Sequence, residues 1–355
     1  MSAEREVRQS FLALEPKEAE ARFVALGGRP FHARAARKEL LERGVRAWSD
    51  MTSLPGRVRE RLEEELPLLA GREVARSESR DGTVKLLIEF PRSGTGPGAV
   101  GATVETVHMP STRADRGATL CVSTQAGCPI GCPFCASGLA GLARNLAAHE
   151  IVAQYLRGRE LGAPRPSVVM GIGEPLLNAE NLVKALAMVH EGLGLGARKI
   201  TVSTVGFPER VARVARSDPR FELAISLHTV DDEQRARLVP AMRDVPVEAV
   251  LDAGHDWFEV TGREPTWEVV LLGGENDSPE HARRLAERLG RRRGMINLIP
   301  YNPIAEGGFE RPSAERVEAF RERLETCGRV ATVRWSRGLE SDAACGQLRL
   351  RRSAE

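Results

Sequence analysis

The sequence predicts an α/β fold on a parallel sheet, preceded by a small helical unit. From Ala118 onward, short apolar runs without period-two alternation recur, separated by amphipathic segments of helical period. Such runs belong to strands covered on both faces. Ahead of the first of these runs, the opening 70 residues carry only short helical patterns. The Gly- and Pro-rich stretch SGTGPGAVG at 93–101 reads as a linker. A chain of 355 residues fits two units, since domains average roughly 150 residues. We therefore expect an accessory unit with a hairpin over 1–92 and a core over 102–355.

In the first unit, Glu15–Leu26 is a helix closed by Gly27-Gly28, and His32–Arg43 a second closed by Gly44. A third, Arg57–Leu66, follows the Pro55-Gly56 turn. Arg72–Ser79 and Thr83–Phe90 form a hairpin around Asp81-Gly82. Beyond the linker, strands are expected at Ala118–Thr124, Ser167–Met170, Lys199–Ser203, Glu222–Leu227, Thr266–Leu272 and Ile296–Pro300. The helices between them are Ala147–Glu160, Asn181–Glu191, Pro208–Ala215, Pro246–Thr261 and Pro279–Leu289, the last with Ser278 as N-cap. A helix at Ala314–Cys327 and a strand near Ala331–Ser336 close the pattern. Periodicity alone allows either a doubly wound sheet or a partial barrel.

Composition narrows the function. Hydrophobic residues are 42% and charged residues 28%, which excludes broad disorder. Lys and Arg total 51 against 49 Asp and Glu, so there is no histone-like coat of charge, although a local basic face is permitted. Arg291-Arg292-Arg293 and Arg349, Arg351 and Arg352 are the basic clusters available to phosphate, or are simply solvated surface. No apolar run approaches the length of about 18 residues that a membrane span needs. The opening MSAEREVRQS lacks the apolar core of a secretory signal. Six cysteines in such a chain read as cytosolic thiols rather than a disulfide framework.

Polar residues gather where successive strands end: Gly173 and Glu174, Ser203, Ser226 and His228, and Asn302. The carboxyl ends of parallel strands converge on one face, where such folds build their sites. Taken singly, each is equally a turn, cap or core residue. The sharper signal is Cys128-x-x-x-Cys132-x-x-Cys135, three thiols on one Gly- and Pro-rich loop. A structural zinc needs four closed ligands, and no second Cys pair is present. The spacing also differs from two-cluster ferredoxin runs. Three thiolates on a four-iron cluster would leave one iron open to chelate a small molecule such as S-adenosylmethionine (SAM).

This spacing is the signature of radical-SAM enzymes. CVSTQAGCPIGCPFCASG, GIGEPLLN, ITVSTVG, LAISLH, INLIPYNP and DAACGQL resemble, in order, blocks of the RlmN/Cfr family of radical-SAM RNA adenine methyltransferases. GGRPFHARAARKELLERG and DMTSLP resemble that family's small accessory domain. The resemblance implies a partial (β/α)6 barrel, a [4Fe-4S] cluster on Cys128, Cys132 and Cys135, and SAM held by Gly173, Glu174, Ser203, Ser226, Leu227, His228 and Asn302. It implies Cys345 as methyl carrier, Cys121 as partner thiol with a disulfide formed between them, and Glu105 as proton acceptor. Adenine C2 lies between two ring nitrogens and is electron-poor, so such a detour through a methylated cysteine replaces direct attack on SAM. The implied substrate is 23S rRNA, with tRNA as a second candidate, and flavodoxin or ferredoxin as electron donor. Methylation of adenine C8 or of another RNA is the alternative within the family; a non-catalytic, zinc-holding RNA-binding protein is the alternative outside it. Cys327 matches no motif and reads as packing.

Overall fold

The structure, a computed structural model, describes residues 9–91, 101–111 and 117–349. Residues 93–100 of the expected linker, and Arg351 and Arg352, lie outside the described residues. The accessory unit contains α1 (Pro16–Ala25), α2 (Pro30–Lys38) and α3 (Gly56–Glu65). Proline opens both α1 and α2, where its missing N–H is one that a helix leaves unpaired anyway. Phe11, Phe23 and Trp48 pack ring against ring at 5.1–5.8 Å. The Trp48 Nε1–H donates to the Leu66 carbonyl at 2.6 Å, so the indole is buried with its polar atom satisfied.

Three antiparallel strands follow: β1 (Arg72–Glu78), β2 (Val84–Phe90) and β3 (Ala102–Met109). The core then runs β4 (Ala118–Cys121), β5 (Gln125–Gly127), β6 (Leu142–Asn145), α4 (Ala148–Arg159), β7 (Pro164–Val169), α5 (Ala179–Leu193) and β8 (Ile200–Thr204). It continues through α6 (Pro208–Ala215), β9 (Glu222–Ser226), α7 (Asp232–Leu238), α8 (Val247–Thr261), β10 (Thr266–Leu271) and α9 (Pro279–Leu289). Last come β11 (Ile296–Pro300), α10 (Ala314–Thr326) and β12 (Ala331–Val333). One ten-stranded sheet has the order β1-β2-β3-β4-β7-β8-β9-β10-β11-β12. From β4 to β12 every pairing is parallel. The sheet has two free ends and does not close, as a partial barrel requires.

Two expectations are revised. The hairpin assigned to the accessory unit is the edge of the core sheet, because β2 pairs along its whole length with β3. The expected strand Ala118–Thr124 ends at Cys121, since the chain turns there into the small β5–β6 ribbon that carries the cysteine loop. Most buried apolar residues form one cluster reaching from Phe11 to Ala331, and Val107, Cys121, Ile172, Ala343 and Leu348 form a second, smaller one. Helix α7 was missed because its sequence, DEQRARL, shows almost no apolar stripe; the Asp231 side chain caps it by accepting from the Gln234 N–H. Among the described residues no helix is long and apolar enough to cross a membrane.

Candidate active site

The cysteine loop leaves β5 through Gly127, at φ +78°. A Cβ there would lie 1.9 Å from the Gly141 carbonyl oxygen, so only glycine lets the two strands of the ribbon approach. Asn178 fastens the ribbon to the barrel: its Nδ2 donates to the carbonyls of Thr124 and Leu146 at 2.8 and 2.7 Å. Cys128, Cys132 and Cys135 then line one wall of an open cavity of about 930 Å³, counted to its mouth. Burial pushes all three thiols up, Cys128 to about 12. They stay neutral unless a cationic centre displaces their protons.

The same cavity is lined by Gly173, Glu174, Ser203, Ser226, His228, Asn302 and Cys345. Residues from the ends of β7, β8, β9 and β11 thus meet at one place, as a curved parallel sheet brings them together. Gly173 sits at φ +113°, with its Cα against Gln125. The buried Glu174 carboxylate accepts from the Thr204 hydroxyl at 2.6 Å, from Val205 N–H at 2.9 Å and from Leu176 N–H at 3.1 Å. Desolvation nonetheless holds its pKa above the ordinary glutamate value. Ser203 and Ser226 hydroxyls stand 3.1 Å apart.

His228 has an unusual backbone, φ +64°, and its Nδ1 accepts from the Val270 N–H at 3.3 Å. Burial, reinforced by the Arg235 charge, depresses its pKa to about 3, so the ring is neutral. Leu227 is the one expected SAM residue not on the cavity wall; its carbonyl instead accepts from Arg235 Nε at 3.3 Å. Asn302 Nδ2 donates to the Cys345 carbonyl at 2.9 Å, and Arg311 donates to Asn302 Oδ1 at 2.7 Å.

Cys345 borders a second cavity as well. This space, about 850 Å³ by the same measure, is lined by Cys121, Met109, Arg334, Trp335 and Ser336. Met170, Ile299, Cys345 and Leu348 belong to both walls, so this thiol stands at the partition between the two cavities. Cys345 faces open space but is surrounded by protein, and desolvation raises its thiol to about 12; Cys121 is raised to about 11 for the same reason. The expected disulfide between Cys121 and Cys345 is not present: all six cysteines are free.

Glu105 lines neither cavity. Its carboxylate is buried in an ion pair with Lys85, Nζ to Oε1 3.1 Å. Three of the described arginines of the basic clusters are in ion pairs: Arg292 with Glu248 and Asp252, Arg293 with Glu264, and Arg349 with Glu306.

Sequence reasoning missed Arg235, Thr204 and Gln125. Thr204 and Gln125 lie inside the quoted blocks but act through Glu174, Gln125 Oε1 accepting from the Glu174 N–H at 2.7 Å. Arg235 lies on polar α7, and nothing in its neighbours marks it. It is buried beside Cys132; Nη2 donates to the Val205 carbonyl at 2.8 Å, while Nη1 has no acceptor among the described residues. An unpaired buried guanidinium is costly without a nearby anion, and a thiolate-ligated iron–sulfur cluster with the SAM carboxylate would supply one. No three His, Cys, Asp or Glu side chains among the described residues are gathered tightly enough for a single metal ion. A cubane cluster instead takes each thiolate on a different iron, so the donor set fits the cluster and not a structural zinc.

Residues 122–289 match the model of the Radical SAM superfamily. A protein of Parasynechococcus marenigrum named "Probable dual-specificity RNA methyltransferase RlmN" is 44% identical over 345 residues, covering 94% of this chain and 97% of its own length. One of the same name from Rhodopirellula baltica is 41% identical over 332 residues, 92% of this chain and 86% of its own. A solved radical SAM methyltransferase from Sphaerobacter thermophilus superposes with a TM-score of 0.86 at 39% identity, covering 96% of this chain and 99% of that one.

Proposed function

The chain belongs to the RlmN family of radical-SAM RNA methyltransferases, and from that membership we propose that it methylates carbon 2 of an adenine in 23S rRNA, or in tRNA, with Cys345 as methyl carrier. The observation that carries the reading is the place of Cys345 on the wall shared by the two cavities. On one side lie the three loop cysteines and the strand-end residues assigned to SAM; on the other lies Cys121.

In this reading Cys128, Cys132 and Cys135 hold a [4Fe-4S] cluster, which when bound supplies the electron for reductive cleavage of SAM. Flavodoxin or ferredoxin is the donor class. The cytosol, where thiols stay reduced, is the compartment this chemistry needs. Gly173 lets the backbone approach SAM, and the Glu174 network fixes the turn around it. Ser203, Ser226 and Asn302 offer hydroxyl and amide contacts, and the neutral His228 ring closes the wall against Phe134 at 5.0 Å. Asn302 also orients the loop of Cys345 through its carbonyl. The Cys345 thiol takes the methyl from the SAM sulfonium, its proton passing to solvent and S-adenosylhomocysteine leaving, and the resulting methylthioether stands at the wall of the second cavity, which Cys121 also lines. A base stacked within a duplex is out of reach, so the target adenine is unstacked.

Nucleoside mass spectrometry of RNA treated with wild-type protein and with Cys345→Ala tests this. 2-Methyladenosine made by the wild type and absent with the variant is the expected result. Normal methylation by Cys345→Ala would overturn the methyl carrier, and 8-methyladenosine would move the target to C8.

A further inference from the structure

We infer that Trp335 is a base-stacking platform at the rim of the second cavity, where an unpaired nucleotide of the RNA lays its ring on the indole and turns its polar edge to Ser336 and Arg334. The three residues follow β12 directly, and the Arg334 N–H extends the parallel ladder by one bond, donating to the Leu298 carbonyl at 2.8 Å. All three line the cavity of about 850 Å³ that Cys121 and Cys345 also border. The sheet therefore anchors the backbone from which these side chains reach the cavity. A side chain that lines a cavity and is also 52% exposed, as Trp335 is, stands at its rim.

Single apolar residues on a surface are ordinary and need no explanation. Trp335 differs in its surroundings. Of the four tryptophans, Trp48, Trp257 and Trp267 are at most 2% exposed. Among the described residues no other aromatic ring and no guanidinium packs on the Trp335 indole. Next to it, the Ser336 hydroxyl oxygen is buried and has no hydrogen-bond partner among the described residues. Such a group is costly unless a ligand answers it. The Arg334 side chain makes one hydrogen bond among the described residues, from Nη1 to the Met170 sulfur at 3.1 Å, and a thioether is a weak acceptor. Glu268, the carboxylate that feels its charge, is instead bonded by Asn297 at 3.0 Å. Three consecutive residues thus offer an open π-face, an orphaned hydroxyl and a guanidinium with donors to spare. Indole stacks on any nucleobase, and the two polar groups pair with ring nitrogens, exocyclic groups or phosphate. An aliphatic ligand would use the indole and leave Ser336 and Arg334 unanswered.

The occupant rests on the RNA substrate proposed above, and the platform deepens that reading by naming the contact that holds an unstacked nucleotide beside Cys345. Full-length protein, reconstituted without oxygen and kept without SAM or reductant, is titrated against a fluorescently labelled RNA duplex with a single bulged adenosine. A second duplex carries an abasic ribose at the bulge. Anisotropy gives Kd for wild type, Trp335→Ala and Trp335→Phe. The indole is more than half exposed, so both variants should keep the wild-type urea midpoint. Trp335→Ala should bind the adenosine duplex about tenfold more weakly than wild type, the scale of one base–aromatic stack. Trp335→Phe, which keeps a π-face, should stay within about threefold. On the abasic duplex wild type and Trp335→Ala should bind equally, because the partner of the stack is gone. Equal binding of the adenosine duplex by wild type and Trp335→Ala, or the same loss on both duplexes, would overturn the platform. RNA that the wild type binds with the expected pattern but does not methylate once SAM and reductant are added would instead overturn the proposed activity and leave the platform standing.

Discussion

Replacing His228 by Asn should remove a specific acid sensitivity. In the folded protein the ring is neutral, with Nδ1 accepting from Val270 N–H and a pKa depressed by burial to about 3. In the unfolded chain the ring titrates at about 6.5. The depressed group therefore contributes its full stability above about pH 6.5 and loses it progressively as the pH falls towards 3, because only the unfolded chain takes up the proton. Each pH unit below 6.5 costs the wild type about 1.4 kcal/mol from this residue, so acidification from pH 7 to about pH 5 costs about 2 kcal/mol. Asn tolerates the left-handed backbone at position 228 and does not titrate. His32, His108, His149 and His281 also have lowered pKa values, but they are present in both proteins and cancel in the comparison. Urea midpoints of wild type and His228→Asn at the two pH values measure the effect. The variant's deficit should shrink by about 2 kcal/mol on acidification. A deficit that stays constant within about 0.5 kcal/mol would refute the buried neutral ring.

Gly173→Ala places a Cβ 2.6 Å from the Gln125 Cβ at φ +113°; calorimetric titration should show SAM affinity falling about tenfold or more as the turn shifts. Asn178→Ala removes the side-chain donor to the Leu146 carbonyl, while the Thr124 carbonyl keeps its bond from the Leu146 N–H at 3.0 Å; it should cost about 1–3 kcal/mol in urea unfolding. Because those bonds hold the ribbon of the cysteine loop, the same variant should lose iron to a chelator faster than wild type. Trp48→Phe removes the donor to Leu66; the expected loss is about 1–2 kcal/mol by thermal unfolding, with cluster content unchanged.

The parallel sheet was legible because its strands are unalternated apolar runs between capped helices: Pro279–Leu289 and Ile296–Pro300 stand where the pattern placed them. The cysteine loop was legible because three thiols at close spacing on a Gly- and Pro-rich segment have few other uses. What stayed hidden depends on pairing across the chain. Lys85 and Glu105 look like two surface charges on alternating strands, and only the β2–β3 register buries them together. Arg235 reads as the solvated face of a polar helix, and only the fold drives it in beside Cys132. The place of the hairpin followed the same rule: its arms were predicted nearly to the residue, yet nothing local says which strand β2 will pair with.

The central claim is that three loop cysteines hold a cluster able to split SAM bound in the first cavity. Wild-type protein and Cys128→Ala, both reconstituted with iron and sulfide without oxygen, are incubated with SAM and dithionite, and 5′-deoxyadenosine is quantified by chromatography. The account predicts 5′-deoxyadenosine from the wild type and none from Cys128→Ala; none from either protein, or equal amounts from both, would contradict it.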